Sequence, residues 1–262
     1  MAGRGPGWAA WVDRLPSLVR GLLAEWGLSV DGAPTHGHTA LVLPVRTTDA
    51  TPGVLKVVMP GDESEHEHLA LQHWHGKGAA RLLRADPGRH ALLIERLHTR
   101  DLTQVGDLEA CEIVAGLYGR IHVPALPQLR TLTSYVGRWN DDLARLPRGG
   151  PLPRRLVEQA LSLGRDLVAD DASTGTMIHG DLHYENVLAA DCEPWLVIDP
   201  KPMSGDPHYE VAPLLWNRWE ELEAPTSGQS FRGGVRRRFH ATIDAAGLDE
   251  DRPRLGGGAD DA

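Results

Sequence analysis

Cysteine is nearly absent from this sequence. The 262-residue chain has two, Cys111 and Cys192, far apart and without metal-ligand spacing. That excludes a disulfide framework and a cysteine-rich zinc site, and it fits a reducing compartment with both thiols acting as small hydrophobes. Long apolar runs are missing too. None reaches the length of a membrane span, and Asp13 and Arg14 interrupt any signal-peptide core, so a cytoplasmic location without membrane contact is expected. Basic charge is short: 27 Lys+Arg stand against 36 Asp+Glu, a formal net charge of -9. Nucleic acid is a poor partner for such a chain, because binding it requires basic patches that displace counterions. A cationic ligand would suit the charge better, unless the charge serves only solubility. Three fingerprints are also absent: the G-x-x-x-x-G-K-[ST] phosphate loop, a G-x-G-x-x-G opening a helix after a strand, and the G-x-S-x-G serine elbow.

What remains is an ordinary globular composition, 41% apolar and 24% charged, long enough for one large domain or two lobes. Trp11, Val12, Leu15, Leu18, Val19, Leu22, Leu23 and Trp26 recur at helical spacing and predict an amphipathic helix ending near Gly27. ALVLPVR at 40–46 and VLKVVMP at 54–60, separated by the turn-rich TTDATPG, predict an antiparallel hairpin. ESEHEHLALQHWHG predicts a helix closed by Gly76, and RLLRA and ALLIERL around DPGRH predict a second hairpin. After Leu97 the patterns turn helical, at about 107–122, 130–146, 152–170, 207–223 and 230–246. The chain therefore divides into a strand-rich lobe at 1–97 and a helix-rich lobe at 98–250, with a cleft between lobes as the expected place for a ligand. Residues 251–262, DRPRLGGGADDA, continue no pattern and predict a disordered tail.

The chemistry concentrates in MIHGDLHYENVLAA at 177–190. His179, Asp181 and His183 alternate, so on a strand they would point the same way and suggest a zinc or iron site. No second His–Asp cluster completes such a site, since His208 stands alone beside Asp206. His179, Asp181 and Asn186 also fall on the protein-kinase catalytic-loop spacing H-x-D-x-x-x-x-N. An acceptor hydroxyl needs a carboxylate to orient it and take its proton, and an amide oxygen a few residues on can reach a magnesium ion. Asp199, at the end of the apolar WLVI, supplies a second carboxylate for that metal. Lys56, in the middle of the apolar strand VLKV, is a candidate partner for nucleotide phosphates. Glu63, Glu65 and Glu67 are candidates to pair with it. Glu67 is preferred because Leu71 and Trp74 lie behind it at helical spacing. Backbone groups from Glu95 to Leu97, where the strand-rich lobe ends, are candidates to bind an adenine edge.

HGDLHYEN, WLVIDP and GDPHYEVAPLL resemble the aminoglycoside phosphotransferases. LHYENVLAA, EPWLVIDPKP, GDP and the late VRRRF resemble more closely one branch of them, the streptomycin 6-kinase and hydroxyurea phosphotransferase family. The similarity runs from the first helix to about Asp251. Its central block is specific, whereas the N-terminal lobe matches by pattern. The resemblance implies an α+β, protein-kinase-like bilobal fold, with a small N-terminal antiparallel sheet lobe carrying one key helix and a larger helical C-terminal lobe. It implies ATP and Mg2+ as cofactors, phosphorylation of a hydroxyl on a small molecule, and antibiotic inactivation. It makes Asp181 the catalytic aspartate, Asn186 and Asp199 the magnesium ligands, Lys56 the phosphate-binding lysine and Glu67 its helix partner. His179 would brace the loop, and His183 would either face the phosphates or pack within the loop.

There are departures from the family pattern. THGHTALV at 35–42 lacks the glycine-rich signature that covers phosphates in protein kinases. Members of the branch continue past a GLDEDR-like segment with further apolar helix, which Pro253 and LGGGADDA replace here; the expectation is a truncation or shifted frame that removes a packing helix. For the substrate, Glu185, Asp206, Glu210, Glu220 and Glu221 suit guanidinium or ammonium groups, although an acid placed like Glu210 is expected to support the catalytic loop instead. Streptomycin would use this acidity and neutral hydroxyurea would need little of it. Trp216 and Trp219 could stack on a ligand, but helical spacing favours a place in the core. Two other readings stand beside the kinase: an impaired nucleotide-binding relative or metabolite kinase of the same fold, and a metal-dependent hydrolase.

Overall fold

The computed structural model describes residues 6–62, 64–150, 152–223 and 230–254. Glu63 and most of the expected tail, residues 255–262, lie outside the described residues. The chain forms two compact units, Met1–His98 and Thr99–Ala262.

The first unit opens with α1 (Pro6–Trp26), followed by β1 (Ser29–Val30), β2 (Thr35–His36), β3 (Ala40–Arg46), β4 (Pro52–Val58), α2 (Glu67–Trp74), β5 (Leu82–Asp86) and β6 (Ala91–Glu95). The sheet runs β1-β3-β4-β6-β5, with β2 also on β3, and every pairing is antiparallel. Side chains alternate across a strand. Leu43 and Val45, Leu55 and Val57, and Ala91 and Leu93 therefore share one face, and there they pack with Leu22, Trp26 and Leu28. Lys56 falls between Leu55 and Val57, so it lies on the opposite face, in register with Val42 and Leu92. The sequence pattern overextends α2: residues 64–66 form a turn, and His66 at the N-cap makes no side-chain cap hydrogen bond.

The second unit contains α3 (Asp107–Ile121), β7 (Val123–Pro124), α4 (Leu132–Ala144), α5 (Arg154–Ala169), β8 (Thr176–Ile178), β9 (Val187–Ala189), β10 (Trp195–Val197), β11 (Met203–Gly205), α6 (Val211–Leu215), α7 (Trp219–Glu223), α8 (Phe231–Ala246) and α9 (Asp251–Arg254). Ala110, Cys111, Val114, Ala115, Leu117, Tyr118 and Ile121 give α3 a buried face, and α3 packs on α8. β11, β8 and β7 form one small antiparallel sheet, and β9 and β10 form a hairpin. Ile178 and Met203 of the small sheet pack with Leu132 and Val136 of α4.

Three expectations are corrected here. Asp251–Arg254 is helical rather than disordered, because Arg252 is held 2.6 Å from Asp206 and 3.0 Å from Asp170. Trp216 and Trp219 are 52% and 46% exposed. The helix expected over 207–223 is broken by Arg218 in the left-handed region, at φ 55°, so helical spacing does not carry both rings to one core face. Cys192 is exposed, whereas Cys111 is buried.

Arg238, inside the VRRRF run, is fully buried in α8. It lies 2.8 Å from Asp107 and donates to the carbonyls of Asn217 and Arg218. Arg238→Met would strand a carboxylate and these carbonyls, and losing one partner of a buried pair costs about 3–5 kcal/mol. The expected result is a correspondingly lower urea midpoint; a midpoint equal to that of the unsubstituted chain would refute this role.

Candidate active site

The loop from His179 to Asn186 leaves β8, makes a single 3-10 turn at Tyr184–Asn186 and enters β9. Three features fix it. Gly180 has φ +82°, and a Cβ there would fall 2.4 Å from the Lys201 carbonyl, so no larger residue fits. Glu210, fully buried, accepts from the backbone N–H groups of His179 (3.1 Å) and Gly180 (2.7 Å). Burial pushes the Glu210 carboxyl up, but the neighbouring His122 and the hydrogen bond from the Gly180 N–H outweigh it and leave the group below the usual glutamate value. Tyr184 donates to Asp107, the partner of Arg238, so the loop is tied to α3 and α8. Burial pushes the Tyr184 phenol well up, keeping it protonated as a donor.

His179 is buried and its ring is fully engaged. Nε2 lies 2.9 Å from the Ile198 carbonyl, and Nδ1 accepts from the Asp181 backbone N–H at 3.3 Å. Burial holds its pKa below the usual histidine value, and the neutral tautomer with the proton on Nε2 satisfies both contacts. A ring with both nitrogens in use is no metal ligand, so the alternating His–Asp–His cluster is not a cage. His183 packs inside the loop: Nε2 lies 3.1 Å from Asn186 Nδ2, and its buried Nδ1 has no hydrogen-bond partner.

Asp181 is accessible, with its side chain 39% exposed. Asn186 is buried and donates from Nδ2 to the Asp181 carbonyl at 2.8 Å. With the amide nitrogen turned into the loop, the carbonyl oxygen is the end left for a ligand. Asp199 follows β10 with φ 56°, a left-handed conformation that costs a non-glycine residue energy and is concentrated at functional sites. An amide oxygen and a carboxylate are the hard donors that magnesium takes, so Asn186 and Asp199 fit that ion chemically. Lys201 lies 3.2 Å from Asp199 Oδ2 and 3.6 Å from Asp181 Oδ2. Sequence reasoning missed this lysine, although it stands two residues after Asp199 in the quoted IDPK run.

In the first unit, Lys56 Nζ lies 2.6 Å from Glu67 Oε1, with both side chains buried. Glu67 is the first residue of α2, and it takes the pairing for which Glu63 and Glu65 were also candidates. Two groups of Glu95, one on the backbone and one on the side chain, are engaged by Arg81. Its N–H donates to the Arg81 carbonyl at 3.0 Å, and its carboxylate accepts from the Arg81 N–H at 2.6 Å. Leu97 lies beyond β6 in irregular backbone. Among the acids expected to meet substrate, Asp206 is tied to His208 and Arg252, Glu221 to Arg218, and Glu210 to the loop. Glu185 and Glu220 are exposed.

Residues 25–256 match the profile of the aminoglycoside/hydroxyurea antibiotic resistance kinases. A streptomycin 6-kinase of Streptomyces glaucescens is 40% identical over 248 residues, covering 93% of this chain and 79% of that protein. A hydroxyurea phosphotransferase of Kitasatospora aureofaciens is 37% identical over 254 residues, covering 93% and 70%. Solved structures share the protein-kinase-like fold at lower identity. A macrolide 2'-phosphotransferase from Brachybacterium faecium superposes with TM-score 0.58 at 17% identity, covering 90% of this chain and 84% of that one. A choline kinase from Streptococcus pneumoniae superposes with TM-score 0.56 at 12% identity, covering 95% and 93%. Among the described residues no helix is long and apolar enough to cross a membrane.

Proposed function

We propose that this chain, which belongs to the aminoglycoside/hydroxyurea antibiotic resistance kinases, phosphorylates a hydroxyl of a cationic aminoglycoside of the streptomycin type. Family membership makes it a small-molecule kinase that draws its phosphoryl group from ATP. The observation that carries the site assignment is the braced loop. Glu210 and His179 immobilise its backbone while the Asp181 carboxylate stays open to a ligand.

In this reading Asp181 orients the acceptor hydroxyl and takes its proton as the oxygen attacks phosphorus. Asn186 and Asp199 would hold a magnesium ion, which when bound offsets the charge of the phosphates. Lys56, kept in place by Glu67, pairs with the nucleotide phosphates. Backbone groups between Glu95 and Leu97, other than the Glu95 N–H that Arg81 takes, would meet the adenine edge.

The cationic substrate is supported by the net charge of -9 and by Glu185, an exposed acid four residues after Asp181. An ion pair at about 4 Å is worth roughly 1 kcal/mol in bulk water and more where solvent is excluded. The names of the relatives point to the same acceptor, with hydroxyurea as the alternative. A panel of streptomycin, other aminoglycosides and hydroxyurea, each incubated with the chain and Mg-ATP, tests the choice. The expected result is a higher kcat/KM for streptomycin than for hydroxyurea. Phosphorylation of hydroxyurea alone would overturn the cationic substrate, and no product from any acceptor would overturn the whole reading.

A further inference from the structure

The chain has three lysines, Lys56, Lys77 and Lys201, and its other cationic side chains of the Lys/Arg type are arginine. Two of the three therefore stand among the residues assigned to phosphoryl transfer. Lys56 is accounted for by its pairing with Glu67. Lys201 lies between the two carboxylates of the C-terminal unit, 3.2 Å from Asp199 and 3.6 Å from Asp181.

Lys201 is not a free surface side chain. Its backbone N–H donates to the His179 carbonyl at 2.8 Å, and its own carbonyl is the atom that forbids a side chain at Gly180. The backbone is thus fastened to the same loop that carries Asp181, and the side chain is only 25% exposed. The choice of lysine is also informative. A guanidinium would lock its planar fork onto one carboxylate, whereas an ammonium is a compact charge with three donors that reach acceptors in different directions. Of the two carboxylates, only Asp199 lies within hydrogen-bond distance of the ammonium, and Asp181 at 3.6 Å is an ion pair, so donors are left for a further anion. If Asp199 is engaged by a divalent cation, the ammonium has still more charge to offer an incoming phosphoryl oxygen.

We propose that Lys201 is a further catalytic residue, whose ammonium donates to an oxygen of the transferring phosphoryl group while its ion pair with Asp181 holds the base in place. This rests on the phosphotransferase reading above. In the step, the acceptor oxygen forms a bond to phosphorus and its proton passes to Asp181. The bond from phosphorus to the bridging oxygen breaks, and the electron pair leaves with the nucleoside diphosphate. Lys201 keeps its proton throughout.

The test uses the full chain with Lys201→Met and Lys201→Arg, each measured for melting temperature, for affinity toward Mg-ATP and Mg-ADP by calorimetry, and for kcat. A donor to the terminal phosphoryl is felt by ATP and not by ADP. Lys201→Met is expected to retain ADP affinity, to lose much of its preference for ATP over ADP, and to lower kcat about 100- to 1,000-fold. Unchanged kcat together with an unchanged ATP-over-ADP preference would reduce Lys201 to a counter-charge for the carboxylates and overturn the proposal. Should the methionine variant fail to fold, Lys201→Arg decides, because it keeps the counter-charge. A fall in both kcat and ATP preference at an unchanged melting temperature supports the proposal, and unsubstituted values for both overturn it. The nucleotide comparison needs no acceptor. A chain that phosphorylates none of the acceptors would therefore defeat the phosphotransferase reading, while an unchanged ATP-over-ADP preference in Lys201→Met would separately overturn the contact between Lys201 and the terminal phosphoryl.

Discussion

Asp181→Asn is expected to lower kcat by about 100- to 10,000-fold, the contribution of a positioned general base, and to leave Mg-nucleotide affinity nearly intact. The asparagine has the shape of the aspartate, and the loop does not depend on the carboxylate for its conformation. Its backbone is held by Glu210, by His179 Nδ1 and by Asn186 Nδ2. The ion pair with Lys201 is lost, as is any charge contact with His183 at 3.9 Å, and Lys201 retains Asp199. The substitution therefore separates chemistry from folding and from nucleotide binding. Calorimetry with Mg-ADP and a melting curve, run beside the kinetics, make the separation visible. Turnover near that of the unsubstituted chain would remove Asp181 from the role of base.

Asp199→Asn is expected to act on the nucleotide instead. Asparagine tolerates the left-handed backbone that Asp199 adopts at φ 56°, so the local fold should survive while the charge disappears. Residues that merely support a metal ligand cost about 10–100-fold when replaced, and a direct ligand should cost more than that in kcat. It should also flatten the dependence of ATP binding on magnesium. A magnesium titration at fixed ATP checks this: an unchanged titration curve would show that Asp199 holds no metal. The two variants thus have opposite signatures, one in turnover at intact binding and the other in metal-dependent binding.

How much of this was legible in the sequence depended on whether the relevant contacts were local. Asp181 and Asn186 sit in one continuous loop, so their spacing carries the geometry directly, and Asp199 follows from the end of an apolar strand. Lys56 was readable as a charge in a strand that is otherwise apolar. Its partner was readable only as a preference for Glu67, because the choice depends on where α2 begins, and helix starts without a capping side chain leave little trace. The engagement of the Glu95 amide and carboxylate by Arg81 was not readable, because it runs across the hairpin and is invisible to spacing. The tryptophans at 216 and 219 were misplaced for a different reason. Helical periodicity assumes an unbroken helix, and the positive φ at Arg218 breaks it without a glycine to announce the break. The supports of the loop were partly visible. Glu210 follows the GDP stretch and holds two loop N–H groups as the family resemblance implies, but the link from Arg238 through Asp107 to Tyr184 joins residues 131 and 77 positions apart. Lys201 was in plain view beside Asp199, yet a lysine two residues after an acid has many surface explanations. Only the fastening of its backbone to the loop gives it a direction.

The most direct measurement is mass spectrometry of streptomycin after incubation with Mg-ATP and either the unsubstituted chain or Asp181→Asn. A loop built around Asp181 for phosphoryl transfer to a cationic acceptor predicts one added phosphoryl group with the unsubstituted chain and almost none with the variant. Streptomycin recovered unmodified from the unsubstituted chain, or phosphorylated equally by both proteins, would contradict it.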